Sequence, residues 1–252
     1  MTIHKLSDVH PDAVLETGCS VGAFSVIGPN VYLGANTSID SHCNIGVAIT
    51  QRHGRTRELR NELRIGAHST IRSHSTFYSG STFADGLTTG HYVSVREGVD
   101  AGPGLQLGSF ADVQGQTTIG KYVRVFNGAH ICQWSTIGDF VWIFPHVVFT
   151  NDPTPPSDAV HAGPVVEDFA VVAARATLLP GVRIGSDALV GANSLVTIDV
   201  APGDFVTGNP ARRVGSANLI RLRDKSGPAY PWRAHFSRGF PADEIASWPP
   251  IG

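Results

Sequence analysis

Polar side chains able to hold a small substrate lie at four places along this chain. Asp112 and Gln114, in FADVQG, flank the apolar Val113. On an extended backbone, residues two apart face the same way, so a carboxylate and an amide would share one outward surface. Glu97, in SVREGV, is a second carboxylate that could hold a substrate hydroxyl or pair with its neighbour Arg96. Asn151 and Asp152 open the stretch TNDPTPPSDAVHAGP, residues 150–164, whose prolines restrict the backbone and hold both side chains at a turn. The stretch VAITQRHGRTRELRNELR, residues 47–64, carries Arg52, Arg55, Arg57, Arg60 and Arg64. Those arginines suit either bidentate capture of phosphates or a solvated subunit contact. Among eleven histidines and three cysteines there is no HExxH and no CxxC pair, so no metal is expected.

The scaffold for these residues shows in a six-residue period. Ile65, Ile71, Phe77, Phe83, Val95, Leu107, Val113, Ile119, Val125, Ile131, Ile137, Ile143 and Phe149 keep one register, with Thr89 and Ala101 as weak members. Leu15, Val21, Ile27, Leu33, Ile39 and Ile45 keep an earlier register, and Val166, Val172, Leu178, Ile184, Val190 and Val196 a later one. No α-helix keeps one face apolar at that period. A short strand followed by a turn does, because each rung returns one side chain to the interior and stacked rungs bury it. Gly often follows the apolar position, as at Gly22, Gly28 and Gly108, which points to corners of positive φ. A small residue often stands four positions after it, as at Cys43, Ser75 and Ala176, which fits a tight inner corner. A β-sandwich would instead show turn signals every 8–12 residues. About 27 hexads, three to a triangular turn, predict a solenoid of about nine coils. His68 and His74, six apart, are expected to form a polar ladder on one solenoid face.

Composition bounds the partners. At 252 residues and a formal charge of −2, the chain has no electrostatic case for nucleic acid or a membrane surface. The N-terminal MTIHKLSDVHPDAV lacks an apolar core of signal-peptide length, and no later stretch is long enough for a bilayer. A cytoplasmic location is therefore expected. Cys19, Cys43 and Cys132 read as packed thiols, not as disulfides. The solenoid is expected over residues 1–215, with loops at 47–64 and 150–164. Residues 216–252, rich in proline and aromatics, are too short for a second core and are expected to lie as a helical or extended tail on the solenoid or a neighbouring subunit.

Three stretches carry a resemblance. AARATLLPGVRIG (173–185), GANSLV (191–196) and VTGNPARRV (206–214) are similar to the late coils of the hexapeptide-repeat acyltransferases. The resemblance covers roughly residues 8–215 and implies an all-β fold, a left-handed parallel β-helix with a protruding loop and a short C-terminal tail, assembled as a homotrimer. It also implies acetyl-CoA or another acyl-CoA as co-substrate, held by Ala173, Ala174, Gly191 and Ala192 along the pantetheine arm and by Arg212 and Arg213 near the nucleotide phosphates. The central stretch from Gly128 to Ile143, with Phe149-Thr150-Asn151-Asp152-Pro153, resembles enzymes that N-acylate amino groups of nucleotide-linked deoxysugars. In that branch some members carry His or Glu where this chain has Gln133, and glutamine cannot take up a proton at neutral pH. His130, one residue before the rung residue Ile131 and so directed away from the core, is the nearest replacement.

Two mechanisms stay open at this point. An uncharged amine attacks a thioester without prior deprotonation, so the demands are orientation, oxyanion stabilisation and removal of a proton from the adduct. Either His130 takes that proton, or Asp112, Asn127, Gln133, Asn151 and Asp152 position the amine and the leaving thiolate takes it. Backbone N–H groups at Ala173-Ala174 are expected at the thioester carbonyl, and Glu97, Asp112, Gln114, Asn151 and Asp152 at the nucleotide-linked amino sugar. The rival activities are O-acetylation of a sugar or serine-like hydroxyl, which needs a firm base, and a non-catalytic or metal-binding β-helix, which would need three convergent ligands.

Overall fold

Residues 1–48, 61–157 and 162–250 are described in a computed structural model of the chain. Among them, strands of mostly two residues stack into three parallel sheets of 12, 10 and 9 strands, which begin at Thr2–Ile3, Asp8–Val9 and Val14–Leu15. Apart from the closing Asp204–Gly208 and Ala211–Ser216, which form an antiparallel hairpin, each strand pairs in parallel with the one three strands away, so Ser94 faces Asp112 and Asp112 faces His130. The result is a left-handed β-helix of about ten turns and triangular section. That is one turn more than the expected nine. The period continues outward through Val9 to Ile3, and Asp204–Gly208 adds a strand at the far end. Terminal coils are covered on one side only, so Ile3 is exposed and its rung was easy to miss.

Inward rung residues make the core: Ile71, Phe77, Val95, Ile131, Ile143 and Leu178 are fully buried. Burial of each such side chain contributes about 1.5–3 kcal/mol. The small residues four positions on are buried too, among them Cys19, Cys43, Ser75, Ala129 and Ala176. The three cysteines are free thiols.

Two expectations about the corners are corrected. Apart from Gly46, with φ of 84°, the glycines after the rungs are needed for close approach, not for positive φ. A Cβ at Gly22 would come within 2.6 Å of the Ser41 nitrogen, and one at Gly28 within 2.6 Å of the Gly46 carbonyl oxygen. Positive φ falls instead three residues after the rung, on Phe24, His42, His74, Tyr92 and Phe110 among others, with φ of 58–63°. Likewise, His68 and His74 do not stack. Six residues make one side of the triangle, so they occupy different corners, and stacking needs a whole turn. His74 stacks on His42 at 4.9 Å and on Tyr92 at 4.6 Å.

The tail lies on the solenoid and shares an apolar cluster with the outside of the coil. Tyr122, Phe140 and Phe169 stack along the corner between the third and first sheets, and Trp232, Phe240 and Trp248 close over them. Trp232 Nε1 donates to the Phe169 carbonyl at 2.9 Å, and Arg233 donates two hydrogen bonds to the Asp187 carboxylate. Helical turns in the tail are short, at Ala217–Leu219, Trp232–Ala234 and Ala242–Ala246.

Candidate functional site

The second sheet carries the reactive side chains because its rungs alternate strictly. Val113 and Ile131 point in, which sends Asp112, Gln114 and His130 out. The one-coil step then brings His130 Nδ1 to 2.8 Å from Asp112 Oδ2, and Gln114 Nε2 donates to the same oxygen at 2.8 Å. Burial opposes ionisation of Asp112, but hydrogen bonds from His130 and Gln114, with a smaller one from Ser94, outweigh it and hold the carboxyl below the usual range. An ionised carboxylate only accepts, so His130 Nδ1 carries the proton, and in the neutral imidazole the lone pair is then on Nε2. The imidazole is 40% exposed. Such an arrangement can take a proton from a bound nucleophile. Cys132, two residues away, cannot supply a thiolate, because burial pushes its thiol up to about 11.

The two interruptions of the repeat leave the coil at one corner. One follows Asn44–Val47 and the other Val148–Phe149, both of the second sheet, and each returns into the third, at Leu63–Ile65 and Val165–Val166. Five strand spacings, about 24 Å, separate the two exits, and the dyad lies between them. Gln133 is half-buried on this corner, with Gly163 packed against its carbonyl. Trp134 Nε1 donates to Gln116 at 3.2 Å. Glu97 is 7% exposed, and Arg96 holds its carboxylate at 2.9 Å while lying 4.7 Å over the Tyr78 ring. Asn151 and Asp152 begin the second loop, where the Asp152 carboxylate accepts from Ser157 and from the Thr154 N–H. Arg64 pairs with Glu62 and stacks on Tyr32; Arg52, Arg55, Arg57 and Arg60 lie outside the described residues. Asn127 is at the opposite edge of the sheet, where its side-chain oxygen accepts from the Ser109 N–H at 3.1 Å.

That opposite edge, the corner between the first and second sheets, also carries the residues expected along the acyl carrier. The Ala173 N–H donates to the Val190 carbonyl, so of the two amides expected at the thioester only Ala174 is open. Among the described residues neither Ala174 N–H nor Ala192 N–H, one coil on, has an acceptor. The ladder from His130 through Val148 to Thr177 puts Ala174, three residues before Thr177, two coils or about 10 Å from the dyad along the axis and further off along the rung. In a single chain that distance suits the carrier arm and not the reacting carbonyl. Gly191 is pressed against Thr207, so a Cβ there would come within 2.6 Å of its hydroxyl. Thr207 pairs with Arg212 in the closing hairpin, which brings Arg212 to the same edge. Arg213 is held by Asp204 at 2.7 Å.

Sequence reasoning set Asp112 and Gln114 on one outward surface and missed that His130 meets them. The signal was present: Ser94, Asp112 and His130 are spaced by 18 residues, three hexads, and therefore stack. Among the described residues no group of three or more His, Cys, Asp and Glu side chains converges as a metal site, and no helix is long and apolar enough to cross a membrane.

No family model matches the chain. The acyl-[acyl-carrier-protein]–UDP-N-acetylglucosamine O-acyltransferase of Rhizobium johnstonii is 29% identical over 216 residues, 83% of this chain and 70% of its own length. A 2,3,4,5-tetrahydropyridine-2,6-dicarboxylate N-acetyltransferase of Staphylococcus aureus is 37% identical over 87 residues, 34% of this chain and 35% of its own. The crystal structure of an Arabidopsis UDP-N-acetylglucosamine acyltransferase superposes with a TM-score of 0.70 at 21% identity, over 85% of this chain and 74% of that one, which is a likeness of fold. Six-residue rungs, the coil they build and sequence likeness to acyltransferases make the chain similar to the hexapeptide-repeat acyltransferases in fold and repeat.

Proposed function

We propose that the chain transfers an acyl group from a thioester carrier to a nucleotide-linked sugar, with His130 as base. The observation that carries this reading is the 2.8 Å contact between His130 Nδ1 and Asp112 Oδ2. His130 Nε2 takes the proton of the acceptor as it attacks the thioester carbon, and Asp112 stabilises the imidazolium that forms. The new bond to the acyl carbon forms, the carbon–sulfur bond breaks, and the imidazolium returns the proton to the leaving thiolate.

An oriented base favours a hydroxyl acceptor, which needs deprotonation more than an amine does, and the Rhizobium relative is named for O-acylation. The amino-sugar acceptor read from the central motif is the second reading, supported by the N-acetyltransferase kinship over the region it covers. Acyl-CoA is the donor we favour, with the open N–H groups of Ala174 and Ala192 and the side chain of Arg212 along one edge; acyl carrier protein is the alternative.

The working form in this proposal is a homotrimer. Its support is an exposed aromatic ladder, Phe24, His42, His74, Tyr92 and Phe110, along that same edge, together with exposed Val26 and Val148 on the adjoining sheet. The cytoplasm is the compartment we assign it.

The test offers acetyl-CoA and acyl-carrier-protein thioesters with UDP-N-acetylglucosamine and with a nucleotide-linked amino sugar, and follows thiol release. Alkaline hydroxylamine cleaves an ester product and leaves an amide intact. Thiol release with no acylated sugar under any pairing would refute a nucleotide-sugar acceptor.

A further inference from the structure

Gln114 was expected to touch substrate, yet its nitrogen is directed at Asp112. The amide has both a donor and an acceptor end, and an ionised carboxylate can only accept, so Nε2 must face Asp112 Oδ2. The same oxygen receives the His130 Nδ1 proton. Asp112 is 34% exposed, so without a second donor its carboxylate could turn toward water and release the imidazole. Ser94, on the adjacent coil, adds a smaller hydrogen bond to the same carboxyl, and Arg96 and Glu97 beside it are joined to each other, which leaves Gln114 as the stronger second donor.

We infer that Gln114 is a positioning residue of the dyad. Its Nε2–H, sharing Asp112 Oδ2 with His130, holds the carboxylate in one rotamer and so keeps the imidazole in the form that presents Nε2, not Nδ1, to the acceptor. This rests on the reading of His130 as base. A second donor on the same oxygen also lessens its pull on the shared proton, which leaves that proton on the imidazole.

The experiment is NMR of the free protein, wild type against Gln114→Met, which keeps the length of the side chain and removes the donor. Ring nitrogen shifts of His130 above neutral pH report the tautomer, and the Asp112 carboxyl carbon reports its titration. The wild type is expected to show the Nδ1–H form alone. Gln114→Met should show both tautomers, with the Asp112 titration moved up toward the ordinary aspartate range. Its kcat should fall by about three- to ten-fold with KM for the acyl donor unchanged.

A Gln114→Met protein with the wild-type tautomer and Asp112 titration overturns the inference, whatever its activity. Should Met at 114 prevent folding, Gln114→Glu, of the same shape, replaces it; a wild-type tautomer there also overturns the inference. A mixed tautomer in a protein that acylates no sugar would keep the positioning role and remove the proposed reaction.

Discussion

His130 and Asp112 are eighteen residues apart in the chain and one coil apart in space, with Nδ1 2.8 Å from Oδ2. Three hexads separate them, so the repeat that builds the core also registers the dyad. Removal of the imidazole should then remove a base. His130→Ala is expected to lower kcat by about 10²–10⁴-fold, measured by steady-state kinetics across neutral pH. A loss of ten-fold or less would return the mechanism to positioning with thiolate-assisted proton transfer.

Asp112→Asn should separate orientation from stability. Its carboxyl lies below the usual range in the fold, so its stabilisation is present above the unfolded value of about 3.9 and disappears as pH falls through the depressed folded value. Urea midpoints of the wild type should therefore drop between about pH 5 and pH 2 by more than those of Asp112→Asn. Equal acid losses in the two proteins would show that Asp112 gains nothing from its partners.

Arg212 and Arg213 should differ in weight at the acyl carrier. Arg213 is held by Asp204, whereas the Arg212 guanidinium bonds only to the neighbouring Ala211 carbonyl among the described residues. Arg212→Ala is expected to raise KM for acyl-CoA by about three- to ten-fold with kcat little changed, because uniform binding contacts appear in KM. Arg213→Ala should have the smaller effect. Initial-rate kinetics with varied donor decide it.

Trp232 seals the tail, being 7% exposed and bonded to the Phe169 carbonyl. Trp232→Ala should lower the free energy of tail opening by about 3 kcal/mol. Hydrogen exchange should show faster exchange across residues 216–250, with the protection of the central rungs retained. Uniform loss of protection across the coil would mean that tail and solenoid open as one unit.

Phe110 is 63% exposed in a single chain, so Phe110→Asp should leave the coil intact. In the proposed trimer the same change would put a charge in the contact. Sedimentation should then shift toward monomer, with circular dichroism unchanged. An unaltered assembly would remove the aromatic ladder from the interface.

The period of six was enough to derive the solenoid, because a coil that buries one side chain per rung leaves that spacing in the chain. It also separated inward from outward residues: Val113 and Ile131 are buried, and Asp112, Gln114 and His130 are not. The period was read too locally in two places. His68 and His74 lie at different corners because stacking takes three rungs. The glycines answer to the neighbouring coil's backbone, a contact that φ preferences do not reveal. Only the tertiary structure decided that His130 and Gln114 share one oxygen of Asp112, that Glu97 turns to Arg96, and that both loops leave from one corner. Those outcomes depend on side-chain rotamers and on register between coils, which a linear pattern does not contain. The tail shows the same division: its aromatic composition announced burial, but its place over Phe140 and Phe169 follows from the stacked rings that the coil sets side by side.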